Sequence, residues 1–116
     1  MAVGWKAQHT LARAAAGFAP FLRAAERVSV IGVGQRGASL AFAREVLGRF
    51  CNGVEAVAVA KGPGPVGRSL LAAVQEIGAD CLLIGAYARG PALEWVLGGV
   101  TRTVLQEATV PLLLRH

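Results

Sequence analysis

The clearest indication of the fold is the stretch "ADCLLIGAYARGPALEWVLGGVTRTVLQEATVPLLLRH", residues 79–116. An apolar run at 81–85 is followed by a glycine-containing loop, a segment with helical spacing and a second apolar run at 110–114. In the helical segment, Val100, Val104 and Ala108 share one face. Continuous apolar runs are typical of strands that are buried on both faces of a parallel sheet. The stretch therefore predicts a strand–helix–strand unit.

The same alternation continues towards the N-terminus. Further apolar runs lie at 2–5, 28–33 and 54–60. Helical faces fill the intervals between the runs: Leu11, Ala15, Phe18 and Leu22; Leu40, Ala43, Leu47 and Phe50; and Leu70, Val74 and Ile77. Pro20 is expected to end or kink the first helix, and Gly78 to end the third. The order predicts a single-domain α/β fold, an open twisted parallel five-stranded sheet of Rossmann type with helices on both faces.

Length and composition limit the class of protein. The 116 residues fit one domain, 54% of them are hydrophobic, and no apolar run is long enough for a membrane span. The net charge of +5 comes from scattered basic residues without a dense Lys/Arg run, so nucleic acid is not an expected partner. Cys51 and Cys81 form neither a metal spacing nor a disulfide framework. These features predict a reduced, cytoplasmic protein.

Little in the sequence points to catalysis. The chain has two histidines and seven acidic residues, of which Asp80 is the only aspartate. No acid–base pair and no cluster of metal ligands is evident. We expect no catalytic residues, no structural metal and no enzymatic activity.

The string "GVGQRG", from Gly32 to Gly37, matches the dinucleotide fingerprint G-x-G-x-x-G after a strand. It belongs, however, to the second strand–helix unit, whereas the fingerprint normally opens the fold. An acid that binds ribose should follow at the end of the next strand, but Glu55 stands at the start of that strand. We interpret the string as a flexible turn.

Residues 79–116 resemble the C-terminal part of a universal stress protein domain. That family has an apolar strand, Gly-x-x-Gly, nine residues, Gly-Ser/Thr, a helix and a short final strand beginning with Val-Pro. The segments "MAVGWK" (1–6), "ERVSVIGV" (26–33) and "KGPGPVGRSLLAAVQEIGAD" (61–80) resemble earlier parts of the domain. The resemblance covers residues 1–116 as one domain and implies the fold of the adenine nucleotide alpha hydrolase-like proteins.

In this family the glycine loop binds the phosphates and ribose of an adenine nucleotide. Glycines let backbone N–H groups approach an anion, and the next helix adds the positive end of its dipole. The resemblance implies ATP or another adenine nucleotide as cofactor. The candidate binding residues are Gly85, Arg89, Gly98, Gly99, Val100, Thr101 and Val33. A tight entry into the last helix explains the Gly98–Gly99 pair equally well.

Three positions depart from the family pattern. Ala88 replaces the second motif glycine, Gly99 replaces the Ser/Thr, and Lys6 stands near the place of an aspartate after the first strand. The form "GGVTR" (98–102) and the first helix with Pro20 resemble the second half of tandem stress proteins, where the nucleotide motif is often degraded. Two hypotheses stay open: a stress-response domain with an ATP cleft, and a nucleotide-blind interaction domain of the same fold.

The C-terminal strand predicts a partner. "VPLLLRH", residues 110–116, is a short apolar strand at the end of the chain, and an apolar sheet edge favours association. In the family this strand commonly crosses to a second subunit. Both arguments predict a homodimer through the C-terminal strand.

Overall fold

A parallel sheet forms the centre of the molecule. The computed structural model describes residues 1–5, 15–34, 37–85 and 99–115. Its elements, in chain order, are β1 (Ala2–Trp5), α1 (Ala19–Ala24), β2 (Val28–Val33), α2 (Gly37–Leu47), β3 (Val54–Val59), α3 (Val66–Glu76), β4 (Leu82–Gly85), α4 (Gly99–Glu107) and β5 (Leu112–Arg115). The five strands lie in the order β3-β2-β1-β4-β5, and all neighbours are parallel. The predicted fold class is confirmed.

Alternate residues of the central strands enter two separate cores. Val3, Val30 and Leu83 pack with α1 and α2 on one face. Ala2, Ile31, Leu82 and Ile84 pack with α3 and α4 on the other. Successive side chains of a strand point to opposite faces, so a strand covered on both sides needs apolar residues throughout. This two-sided burial explains the continuous apolar runs of β1, β2 and β4. The apolar runs of the edge strands β3 and β5 are buried only in part, contrary to the expectation from their sequence.

The predicted helical faces turn towards the core, although Phe50, Ile77 and Ala108 lie beyond the helix ends and are only half-buried. Leu40, Ala43 and Leu47 of α2 are buried, as are Leu70 and Val74 of α3 and Val104 of α4. Leu11, which was expected on the first helical face, lies outside the described residues.

Pro20 interrupts the first helix as predicted. Residues 15–17 are helical, Phe18 forms a turn, and α1 restarts at Ala19 with proline within its first two positions. Proline is tolerated there because the first N–H groups of a helix have no partner within the helix. Gly78, with a φ of 69°, follows the end of α3 in the left-handed conformation typical of a helix terminus.

The final strand lies further along the chain than the apolar run indicates. The apolar run lies at 110–114, whereas β5 covers Leu112–Arg115. The Pro111 carbonyl accepts a hydrogen bond of 3.0 Å from the Leu82 N–H, and Leu82 pairs with Leu112. This contact sets the register of β5 against β4.

A glycine permits α3 and α4 to approach closely. A β-carbon built on Gly67 would lie 2.7 Å from Cβ of Thr103 and 3.2 Å from the Val100 carbonyl oxygen. Arg68 bridges the same two helices, with its Nε 3.2 Å from each carboxylate oxygen of Glu107. Because that ion pair is exposed, it contributes little, and close packing at Gly67 holds the helices together.

Substituting Gly67→Ala is expected to lower the free energy of unfolding by about 1–3 kcal/mol, because the new methyl group must displace α4. Urea denaturation measures the change. Gly99→Ala is the matched control, since a β-carbon at Gly99 meets no atom within 4 Å. Equal stabilities of the two variants would contradict the packing argument.

Candidate functional site

The sheet has a crevice at the carboxyl ends of β1 and β4. The two strands are neighbours, yet the helices that follow them cover opposite faces of the sheet: α1 packs in one core and α4 in the other. The chain connections therefore diverge between β1 and β4. In open parallel sheets, such a divergence is where ligands bind.

The register brings three strand ends together at this crevice. Trp5 of β1 pairs with Gly32 of β2, and Gly4 pairs with Ile84 of β4. Val33 and Gly85, both predicted site residues, are the last residues of β2 and β4, and both are half-buried. One strand separates them, so they lie about 10 Å apart across the crevice.

The remaining predicted site residues divide into two groups. Gly99, Val100 and Thr101 are the first three residues of α4, the helix that follows β4. Arg89 and Gly98 lie outside the described residues, as do two of the departures from the family pattern, Lys6 and Ala88. The structure thus brings Val33 and Gly85 to one edge of the sheet and gives Gly99 the first position of a helix.

The start of α4 has the electrostatic character of an anion site. Its first turn contains no acidic residue. The first N–H groups of a helix lack partners within the helix, and its dipole makes this end positive. Gly99 is exposed, with open space where a β-carbon would stand. A Ser or Thr side chain would therefore fit at this position. The hydroxyl of the family pattern is absent only because the sequence has glycine here.

Thr101 and Thr103 point into the protein. Thr101 is only 6% exposed. Thr103 donates a hydrogen bond of 3.0 Å from Oγ1 to the Gly99 carbonyl oxygen. This bond fixes the first turn of α4 from within.

The glycine string after β2 has a structural role at its second glycine. Gly34 adopts a left-handed φ of 67°, and its N–H donates to the Val59 carbonyl oxygen at 2.8 Å. A backbone N–H that completes the pairing of β2 with β3 is not available to a phosphate. This geometry supports the interpretation of the string as a turn.

The titratable groups with shifted pKa values lie at the opposite end of the sheet or away from the crevice. The N-terminal ammonium group, 3.5 Å from the exposed Asp80, lowers the pKa of that carboxyl group. Burial raises the pKa of the Cys51 and Cys81 thiols, and the charge of Asp80 raises that of Cys81 further. Both thiols therefore stay protonated at neutral pH and are poor nucleophiles. Over the described ranges, no three His, Cys, Asp or Glu residues come together as metal ligands.

The sequence reasoning missed one residue that positions this site. Gly67 lets α3 hold α4, whose first turn borders the crevice. Its spacing from Leu70 and Val74 places a glycine on the apolar face of α3. A glycine on the apolar face of a helix indicates that a second helix can approach closely there.

An open parallel sheet with this strand order and a crevice at the point of divergence defines a doubly wound α/β protein. A family model gives the more specific assignment: the universal stress protein family matches residues 7–116. The chain belongs to that family. The prediction made from the C-terminal motif is confirmed at this level.

Solved structures show the same fold. A universal stress protein from Archaeoglobus fulgidus has a TM-score of 0.80 at 20% identity, covering 97% of this chain and 95% of that chain. A universal stress protein in complex with cAMP has a TM-score of 0.78 at 19% identity, covering 99% of this chain and 94% of that chain. Another universal stress protein, from Archaeoglobus fulgidus DSM 4304, has a TM-score of 0.73 at 21% identity. That match covers 98% of this chain and 42% of that chain.

Among curated proteins, none matches this sequence. Within the described ranges, no helix has both the length and the apolar character needed to cross a membrane.

Proposed function

We propose that this chain is a stress-response domain that binds an adenine nucleotide in the crevice between β1 and β4. The observation that carries the proposal is the start of α4, which has no acidic residue in its first turn and open space at Gly99. A phosphate at this position would accept hydrogen bonds from backbone N–H groups at the positive end of the helix. The similar fold of the stress protein in complex with cAMP supports an adenine nucleotide as the ligand class.

Different residues would contact different parts of the nucleotide. Val33 offers an apolar surface for the base at the end of β2, and Gly85 lets the ligand approach the backbone at the end of β4. The N–H groups of Gly99 and the residues after it would hold the phosphates, with Arg89 as a further cation. The nucleotide would supply the negative charge that the start of α4 lacks.

A nucleotide-blind interaction domain is the second candidate function. Lys6, Ala88 and Gly99 each replace a residue that the family uses towards the nucleotide. Thr101, which could have supplied the missing hydroxyl, is buried. In this alternative, the fold and its association surface carry the function.

We further propose that the domain binds without turning over its ligand and acts in the cytoplasm. Binding without turnover agrees with the protonated state of both thiols and with the shortage of acid–base pairs in the sequence.

The β5 edge supports a homodimer. The Pro111 carbonyl faces β4, so by the alternation of a strand the N–H and C=O groups of Leu112 and Leu114 face away from the sheet. Leu112, Leu113 and Leu114 are only half-buried. A second copy that pairs along this edge would satisfy the outward groups and cover the leucines.

The nucleotide proposal predicts a thermal shift that depends on charge at one position. Mg-ATP at 100 times its dissociation constant should stabilise the fold by about 2.7 kcal/mol, which is several degrees at this size. Gly99→Asp should raise the stability of the free protein by about 0.3–1 kcal/mol through the helix dipole, yet abolish the shift with Mg-ATP. Differential scanning fluorimetry gives both values.

Gly99→Asn is the matched control, because it has the same shape without the charge and should keep most of the shift. Adenosine, which has no phosphate, should bind both variants equally. If neither Mg-ATP nor cAMP shifts the melting temperature at millimolar concentration, the nucleotide-blind alternative is correct.

The dimer proposal predicts a difference between two substitutions at one residue. Leu114→Pro removes an outward N–H and should lower the average solution mass at micromolar concentration. Leu114→Ala shortens the side chain but keeps the N–H, and should lower the mass less. Light scattering on a size-exclusion column measures both. A natural chain that is strictly monomeric at this concentration would contradict the proposal.

A further inference from the structure

The sheet has a second exposed edge, at β3. Val54 is buried, whereas Glu55, Ala56 and Ala58 are exposed. β3 is the last strand of the sheet on this side, and its pairing partner among the described residues is β2. The strand therefore presents one side of its backbone to solvent.

The direction of the backbone groups follows from one hydrogen bond. The Val59 carbonyl oxygen accepts from the Gly34 N–H, so the polar groups of Val59 face β2. By the two-residue period of a strand, those of Val57 and Glu55 also face β2. The N–H and C=O groups of Ala56 and Ala58 face outward, and those of Ala60 would do so if the strand continued by one residue.

We propose that this edge binds the β3 edge of a second copy of the chain, antiparallel, with Ala58 opposite the partner's Ala58. In an antiparallel pair, opposed residues whose polar groups face each other exchange two hydrogen bonds. Ala58 would form such a pair on the two-fold axis, and Ala56 would pair with the partner's Ala60. Two five-stranded sheets would become one continuous sheet.

The charges select this register. With Ala58 on the axis, Val57 lies opposite the partner's Val59. Glu55 lies opposite the partner's Lys61 if the extended edge continues two residues past Val59, where β3 ends. These positions are the closely spaced pairs of an antiparallel ladder, where opposite charges and β-branched pairs are stabilising. Moving the axis to Ala56 or Ala60 keeps the hydrogen bonding but places Glu55 or Lys61 opposite a valine. Both charged residues are exposed, and each occurs twice in the interface by symmetry.

The surface beside the strand carries a groove lined by charges of both signs. A groove of about 580 Å³ lies along the edge, and its walls are Leu40, Ala41, Arg44 and Glu45 of α2 with Ala56 and Ala58 of β3. A two-fold axis through Ala58 and perpendicular to the sheet places both copies of α2 on the same face. The two grooves then open towards each other, and each wall carries one positive and one negative side chain. The small alanines of β3 leave room for this approach.

Charged residues at a sheet edge also have a protective role in monomeric proteins, where they block pairing. The two roles predict opposite responses to charge reversal. Under the proposal, Glu55→Lys places Lys against the partner's Lys61 and weakens association at this edge by about tenfold or more. The double change Glu55→Lys with Lys61→Glu restores the opposite charges and the association. If the single change leaves association unaltered or increases it, the edge is protective and the proposal is wrong.

Disulfide trapping tests the register directly. In the full chain with Cys51→Ser and Cys81→Ser, Ala58→Cys should form a covalent dimer on mild oxidation. The Cα atoms of a hydrogen-bonded pair are about 5.5 Å apart, within the usual disulfide range of about 4.4–6.8 Å. Ala56→Cys, on the same face of the same strand, is the control. Its two copies would lie about 13 Å apart along the strand and should not cross-link.

Each outcome decides the proposal. A dimer from Ala58→Cys that is several times more abundant than from Ala56→Cys, and that is lost when Glu55→Lys is added, supports it. No dimer, or equal dimer from both positions, overturns it. Because the reporter lies at β3, the result does not depend on whether β5 also forms an interface.

Discussion

Burial of the central strands on both faces is the constraint on which the rest of the structure depends. β1, β2 and β4 must be apolar at successive positions because each residue enters one core or the other. This requirement forces the connecting helices to lie on both faces of the sheet. It also makes the crossovers after β1 and β4 diverge, and this divergence opens the crevice. The candidate site is therefore a consequence of how the sheet is covered.

The contact between α3 and α4 extends that constraint to the site. Gly67 is buried in this contact, and Thr103 bonds to the first carbonyl of α4 on its inner side. The start of α4 is thus held from the interior, while Gly99 remains open to solvent. A helix terminus fixed in this way can bind an anion with little rearrangement, because the cost of ordering it has already been met by packing.

The sequence predicted the elements well where a single physical rule governs them. Continuous apolar runs located the strands, and helical spacing found the buried faces of α2, α3 and α4. Strand order could not be predicted from these patterns, because any parallel order buries the same residues. The shift of β5 came from Pro111, whose carbonyl bonds to Leu82 across the sheet. Local hydrophobicity contains no information about such a long-range register.

The candidate site was less predictable than the fold, because strand ends and a helix terminus form it and different physical factors govern each. Val33 and Gly85 are strand ends, and their positions follow from the sheet. The binding capacity of the α4 terminus depends on what is absent from it: an acid in the first turn, a side chain at Gly99 and a hydroxyl of the family pattern. Loss of that hydroxyl removes one hydrogen bond, worth about 0.5–1.5 kcal/mol, or up to about 3 kcal/mol to a charged phosphate. The backbone N–H groups and the helix dipole remain, because they are properties of the helical backbone and do not depend on particular side chains. The same packing thus preserves the candidate anion site even though the family's hydroxyl at position 99 is gone.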